Sequence, residues 1–409
     1  MSGTWSKDLR ADLRNVFVEE WSPYTGALAL VLVVIALMMG GMFWGVFGGL
    51  RLWGDWFNEF IGMNALLGVS PRLDSPLMHR ISLMDITLVI GALCAALLSA
   101  QFRINRAPKA EYLRGAFGGT LLGIGASLAG GCTVGGFFTP LVFSSPTGWV
   151  MCVGLLIGSV IGLKLLLWSM EFMTWGNETS PPLAASETFT RIYPYLGVGV
   201  LIAIIAWASS WYLSDDKMLV QRGIIILGGF SIGFILHRSR LCFSRAIREP
   251  LMTGEGSMTK GLILAIAVGS VLASILFQRE AVDPYMAIPA RFWVGSLMGG
   301  VIFGIGMIFA GGCGSGSLWR LGEGHLKLYI AVFFFAWSGA TFNSIVQRWD
   351  LLTAEMNFDL IEVSKLGYQA FWPVMVGGWP MTYAITGVIL AAWYVAVCYN
   401  ETTDKLTVV

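Results

Sequence analysis

The sequence predicts an all-α integral membrane protein, a polytopic helical bundle of two inverted repeats whose broken helices meet at a central constriction. Three observations carry that expectation. Of the 409 residues, 56% are hydrophobic and 12% charged, and the mean hydropathy is +0.71, a composition that cannot be folded behind a water-facing surface. Apolar runs of roughly 17 to 25 residues, the length a helix needs to cross hydrocarbon, recur from end to end. Gly-Gly-Cys occurs twice, at Gly130-Gly131-Cys132 and Gly311-Gly312-Cys313, each time closing an apolar helical stretch.

Taken in order, residues 1–23 form an N-terminal interfacial segment of mixed charge, without the short apolar core and small-residue cleavage site of a signal peptide. The first repeat, residues 24–170, has spans at 24–47, 83–100, 114–129 continued by 133–142, and 149–170. The apolar piece 56–67 is a candidate second half of the first span. Residues 171–219 are a linker containing a connecting transmembrane helix, 193–211. The second repeat, residues 220–346, has 222–236 continued by 241–252, then 261–277, 292–309 continued by 314–321, and 326–345. Residues 347–409 supply an external segment, 348–367, whose helical apolar spacing places it on the membrane surface, and a final transmembrane helix, 381–398.

Charge orients this chain. Lys7, Arg10 and Arg14 precede the first span, and basic residues cluster at Arg103, Arg106, Lys109 and Arg114 and again at Arg238, Arg240, Arg245 and Arg248. Positive residues stay inside, so the expected location is the inner (plasma) membrane, multi-pass, with both termini cytoplasmic. The net charge of +1 says little, and no basic tail or aromatic-basic stripe points to nucleic acid.

The repeat is internal to the sequence. Aligning residues 115–132 with 296–313, 181 residues later, gives nine identities in 18 positions, including every glycine of GGxxxGxG: Gly118/Gly299, Gly119/Gly300, Gly123/Gly304 and Gly125/Gly306. Gly40-Gly41 and Gly45 are echoed 188 residues later by Gly228-Gly229 and Gly233. An odd crossing between the halves makes the second run opposite to the first, the plan in which discontinuous helices build a substrate site near the midplane. Glycine suits the breaks because unwound backbone in a membrane is tolerated only where it is buried or lines a cavity. Gly130, Gly131 and Thr133, with Gly311, Gly312 and Gly314, are therefore the expected breakpoint backbone. The half-helix that starts after each cysteine turns unpaired N–H groups and a positive dipole end toward the break, which attracts anions. GGxxxGxG by itself is equally a helix-packing motif.

Six cysteines divide into two sets. Cys94, Cys152 and Cys398 sit inside uninterrupted apolar helices, where a thiol is a small hydrophobe. Cys132 and Cys313 stand at equivalent breaks, and Cys242 follows the basic turn His237-Arg238-Ser239-Arg240-Leu241. By the 188-residue offset, its first-half partner is Gly54, so three thiols rather than four line the expected route. A thiol beside a helix N-terminus is polarised, soft and a weak hydrogen-bond donor, which suits a sulfur- or selenium-bearing anion. A zinc site would need four closely spaced ligands, and no CxxC occurs. His237, Arg240 and the intramembrane Lys164 are candidates for attracting the anion, against topological or snorkelling roles. His79 and His325 have no ligand-like neighbours.

Three stretches carry a family resemblance: GFSIGFILHRSRLCFSRAIREPLMTG from Gly229, FGIGMIFAGGCGSGSLWRLGEGH from Phe303 and LGIGASLAGGCTVGGFFTP from Leu122. They resemble YeeE/YedE-type membrane transporters, which take up thiosulfate and related sulfur compounds, and the full length and extra C-terminal span look closest to the YedE branch, linked to selenium metabolism. The resemblance implies an hourglass fold, with Cys132, Cys242 and Cys313 matching the family's central cysteines and handing substrate along through S–H contacts. Gly54 departs from members that carry a further thiol. It also implies a cytosolic sulfur-carrier protein as a partner. The expected function is import of a small sulfur- or selenium-containing anion, without cofactor or metal. No GxxxxGK[ST] is present to couple ATP. The alternatives are a membrane thiol redox or sulfurtransferase enzyme, which needs a persulfide and a resolving thiol, and a scaffold subunit of a redox complex.

Overall fold

The computed structural model describes residues 11–12, 14–172, 176, 187–349, 351, 355–356 and 362–408. Among them, nine helices are long and apolar enough to cross a membrane, joined by the shorter apolar helix Pro23–Met39. Lys7, Arg10, Asp350 and Asp359 lie outside the described residues.

In chain order the main helices are α1 (Pro23–Met39), α2 (Phe47–Phe60), α3 (Arg80–Leu98), α4 (Lys109–Ala129), α5 (Pro146–Phe172), α6 (Glu187–Tyr212), α7 (Lys217–Ser239), α8 (Phe243–Met252), α9 (Ser257–Gln278), α10 (Val294–Ala310), α11 (Gly314–Glu323), α12 (Leu326–Arg348) and α13 (Trp379–Thr403). Between α4 and α5 a π-helical turn, Thr133–Phe138, runs into Thr139–Val142. Local chemistry sets the ends. Ser22 caps α1 by accepting from the Thr25 amide at 3.1 Å, with Pro23 in the first turn, and Asp216 caps α7 by accepting from the Met218 amide at 2.8 Å.

Four breaks interrupt the helices, at residues 40–46, 130–132, 240–242 and 311–313. The first half-helix of the chain therefore begins at Phe47, not at Trp56 as the apolar run 56–67 suggested. The polar pair Arg51 and Asp55 on α2 hid its start from a hydropathy reading. Gly130 and Gly311 take left-handed φ values of +77° and +83° and end α4 and α10. That conformation is nearly free for glycine and strained for other residues.

Helix directions follow from the close glycine contacts. Gly118 meets Gly306 and Ala310, and Gly125 meets Gly299 and Phe303, so α4 and α10 run antiparallel. Gly26 meets Ser239 and Gly228 meets Leu37, so α1 and α7 do too. By contrast, Gly154 against Leu297 and Gly158 against Val301 make α5 and α10 parallel, and Gly119 against Ala331 and Gly123 against Gly339 make α4 and α12 parallel. The GGxxxGxG glycines thus serve packing: a Cβ at Gly125 would stand 2.6 Å from the Phe303 nitrogen. Only the Gly-Gly that follows them shapes the break.

The first and last described segments of the chain gather at one end of the bundle. Arg238 donates to the carbonyls of Phe17 and Val18, Gly261 abuts Pro23, and the C-terminal helix reaches back through Asn400 to the Pro250 carbonyl at 2.5 Å. At the other end, the expected surface helix of 348–367 is instead, where described, a three-stranded antiparallel sheet: β1 (Glu355–Met356), β2 (Glu362–Ser364) and β3 (Gly367–Tyr368). Its strand β3 is fastened to the loop before α10 by the Phe292 amide donating to the Tyr368 carbonyl at 3.1 Å. That tertiary pairing overrides the local period.

Candidate functional site

Each of the three candidate cysteines is the residue that starts a half-helix. Cys132 precedes the π-helical turn, Cys242 precedes α8 and Cys313 precedes α11, all in extended backbone. Cysteine is an unusual choice there, because Ser, Thr, Asp and Asn accept the first-turn N–H bonds far better than sulfur does. The first backbone bonds inside these half-helices are Gly136 to Cys132, Ala246 to Cys242 and Ser317 to Cys313. The intervening amides are left to the sulfurs: Val134 donates to Cys132 Sγ at 3.4 Å, the Arg245 amide faces Cys242 and the Gly316 amide faces Cys313.

The fourth half-helix, α2, joins the same point. Its N-cap residue is Val46, and the Phe47 amide of its first turn faces the Cys132 sulfur. Val46, not Gly54, stands at the start of this half-helix, as Cys242 does at the start of α8. Gly54 lies two turns inside α2 against the Ala336 backbone of α12. The 188-residue offset failed because Gly228 and Gly229 lie mid-helix in α7, whereas Gly40 and Gly41 follow the end of α1.

The structure brings the sulfurs together. Cys242 Sγ and Cys313 Sγ are 3.9 Å apart. A Cβ on Gly314 would stand 3.3 Å from Cys132 Sγ, and one on Gly316 would stand 2.5 Å from Cys242 Sγ and 3.2 Å from Cys313 Sγ. The two glycines leave room for sulfur on either side of the first turn of α11. All three thiols are buried and free. Thr133, Ser244, Ser315 and Ser317 place hydroxyls in the same turns, and all four are buried. Ser315 Oγ lies 3.7 Å from Cys313 Sγ and the Thr133 hydroxyl also faces the Cys313 sulfur, while the hydroxyls of Ser244 and Ser317 have no hydrogen-bond partner. Buried donors without partners are costly, and together with the loose amides they form a set of donors suited to an anion. Aromatic rings wall the cluster: Trp44, Phe138 and Phe243 pack with centroids 5.2 to 6.1 Å apart, and Phe335 reaches Gly314 from α12.

A cavity of about 350 Å³ opens toward the cluster from the end opposite the chain termini, lined by Val46, Phe47, Gly130 and Gly131 at its floor and by Arg51, His79 and Arg291 above. Sequence spacing did not assign these three basic residues, because they come from three separate segments. His79 accepts from the Ser82 amide through Nδ1 at 3.2 Å and so caps α3. Burial, aided by Arg51 and Arg222 and opposed by Asp74, lowers its pKa below the ordinary 6.5, so the ring stays neutral and can accept. On the other side of the cluster, Arg320 donates to the Gly311 carbonyl at 2.9 Å.

The other sequence candidates fall elsewhere. His237 is buried beside Trp319, with Nε2 3.7 Å from Glu323. Arg240 is bound to Glu323 at 2.6 Å, to Glu20 at 3.2 Å and to Gln101 at 2.9 Å. Both belong to a neutralised lattice at the end where the termini meet. Lys164 is exposed on the outer face of α5 beside Leu165. Of the second cysteine set, Cys94 donates to the Gly197 carbonyl at 3.3 Å and Cys152 is buried between helices. Among the described residues no group of three or more His, Cys, Asp or Glu is placed to hold a metal.

A family model described as sulphur transport matches residues 5–161 and 238–408. The probable transporter YedE of Escherichia coli is 26% identical over 324 residues, covering 76% of this chain and 78% of that protein. The thiosulfate transporter TsuA of Spirochaeta thermophila is 32% identical over 192 residues, 46% of this chain and 57% of that protein, and TsuA of E. coli is 34% identical over 126 residues, 31% and 35% of the two chains. These names are those of transporters, not enzymes. With two Gly-Gly-Cys breaks, a membrane-spanning bundle and a family match across both halves, the chain belongs to the sulphur transport family of YeeE/YedE-type membrane transporters.

Proposed function

We propose that this protein imports a small sulfur- or selenium-containing anion, with thiosulfate the first candidate, through a constriction lined by Cys132, Cys242 and Cys313. One observation carries the reading: the N-terminal ends of four half-helices converge on three thiols in an aromatic-walled space. The antiparallel pairs α4/α10 and α1/α7 support reading the two halves as inverted repeats, with residues 24–170 and 220–346 as the units. An anion entering the cavity beneath Arg51, His79 and Arg291 is drawn to the positive helix ends, which replace part of its hydration. The thiols then serve as soft, weak donors. Amide and hydroxyl groups hold oxyanion oxygens while S–H groups meet the polarisable terminal sulfur or selenium, and no contact is strong enough to trap the ion. The membrane is the inner (plasma) membrane, both termini face the cytoplasm, and a cytosolic sulfur-carrier protein takes the product.

The test is uptake of radiolabelled thiosulfate, with selenite and selenide as competitors, into cells lacking other importers. The wild type should accumulate label, competition should rank the chalcogens, and Cys242→Ala should not accumulate it. A wild-type protein that moves none of these anions would overturn the reading.

A further inference from the structure

Asp85 is the residue that the thiol route leaves unexplained. It sits inside α3, fully buried, and neither carboxyl oxygen has a hydrogen-bond partner. Its carboxyl packs against Gly49, in the first turn of α2, where a Cβ would collide with Oδ2. The amide of Phe47, two residues earlier in that turn, faces Cys132. Asp85 and Cys132 thus flank one helix N-terminus and lie within electrostatic reach of each other. One turn toward the cavity, Ile81 of α3 packs on Gly48 and lines the cavity wall beside His79.

An intramembrane carboxyl without a partner is expensive and is a functional candidate by default. The charged groups on the elements around it are engaged elsewhere or distant. Arg51 faces Asp55 on α2 at 3.9 Å, and Arg222 of α7 donates to the carbonyls of Met78 and Met218. Arg320 and Glu323 of α11 bond to Gly311 and Arg240. Arg191 of α6 lies beyond the Leu98 end of α3, where Tyr193 meets Phe102.

Resting on the transport reading above, we propose that Asp85 is a proton-binding site that couples proton entry to anion entry. A carboxylate at Asp85 and an anion beside Cys132 repel each other in a low-dielectric space, so the dianion occupies the constriction when Asp85 carries a proton. The O–H bond forms with a proton from cavity water and breaks by returning it to water on the inner side as the anion leaves. Linkage makes the effect reciprocal: the anion favours the protonated carboxyl as much as the proton favours the anion.

The full-length protein in liposomes containing a pH dye provides the test, with lumen acidification and radiolabelled thiosulfate uptake followed together. The wild type should acidify the lumen as thiosulfate enters, and uptake should rise as external pH falls. Asp85→Asn, which keeps the shape and removes no hydrogen bond, should reduce acidification per thiosulfate to the level of empty liposomes. Asp85→Glu should retain acidification with a displaced pH midpoint, and it decides the matter should the Asn variant fail to fold. Thiosulfate uptake without acidification in the wild type, full coupling in Asp85→Asn, or an unchanged midpoint in Asp85→Glu each overturns the proposal while leaving transport intact. Absence of any uptake defeats the transport reading and this one with it.

Discussion

The sulfur atoms of Cys242 and Cys313, 71 residues apart in sequence, stand 3.9 Å from each other at the first turns of two different half-helices. Such proximity has a chemical consequence. A small methylthiolating reagent that modifies either thiol places extra atoms where a substrate would pass. Uptake should fall with the extent of labelling at these two positions, read by mass spectrometry, and thiosulfate should slow the labelling. Full labelling with undiminished uptake would show that the pair lies off the route.

Gly316 fills the space between those sulfurs by having no side chain. Gly316→Ala puts a methyl group 2.5 Å from Cys242 Sγ and 3.2 Å from Cys313 Sγ. Overpacking of this kind costs about 1–3 kcal/mol, and a barrier raised by only ~1.4 kcal/mol already slows flux tenfold. We expect at least that loss of uptake from protein that still elutes as a single species. Gly199→Ala, with nothing within 4 Å of the new methyl, should leave uptake unchanged.

Arg51 stands half-exposed above the cavity floor, 3.9 Å from Asp55. Removing its charge should weaken capture rather than passage. Arg51→Gln is expected to raise the half-saturating thiosulfate concentration several-fold with little change in maximal rate, and to flatten the salt dependence. Lys164→Ala, on the outer face of α5, should alter neither. Transport assays across a range of ionic strength check both.

His79 gives the folded protein a pH dependence with a definite sign. Burial lowers its folded pKa below 6.5, so as pH falls through about 6.5 the unfolded chain takes up a proton that the folded chain resists. Stability present above that pH is lost as the solution becomes more acid, and the Ser82 amide loses its acceptor once the ring is protonated. Thermal unfolding in detergent should therefore show a midpoint that drops between neutral and mildly acid pH. His79→Asn, which can cap without titrating, should show a smaller drop.

Much of the fold could be read from the chain because its strongest signals are local. Apolar length marks a span, and Gly-Gly before Cys132 and Cys313 marks a helix end. Cys242 was found through the basic turn before it, and the idea that a half-helix begins after each cysteine needs only short-range sequence. What the sequence hid is tertiary. That Val46 starts a half-helix, as Cys242 does, was masked because glycines that pack α7 resemble glycines that end α1. Arg51, His79 and Arg291 meet over one cavity from three segments. Arg240 resembles an anion collector in sequence, but Glu20 and Glu323 come from distant positions to neutralise it and Gln101 accepts one of its hydrogen bonds. Residues 348–367 have a helical period that, where they are described, strand pairing anchored to the loop before α10 overrides.

The most direct measurement is thiosulfate flux into liposomes containing purified protein, comparing single Cys132→Ala, Cys242→Ala and Cys313→Ala variants with a triple variant that lacks Cys94, Cys152 and Cys398. A throat built on the three clustered thiols predicts about a tenfold or greater loss, ~1.4 kcal/mol or more at the barrier, in each single variant and near wild-type flux in the triple variant. Wild-type flux in all three single variants would contradict it.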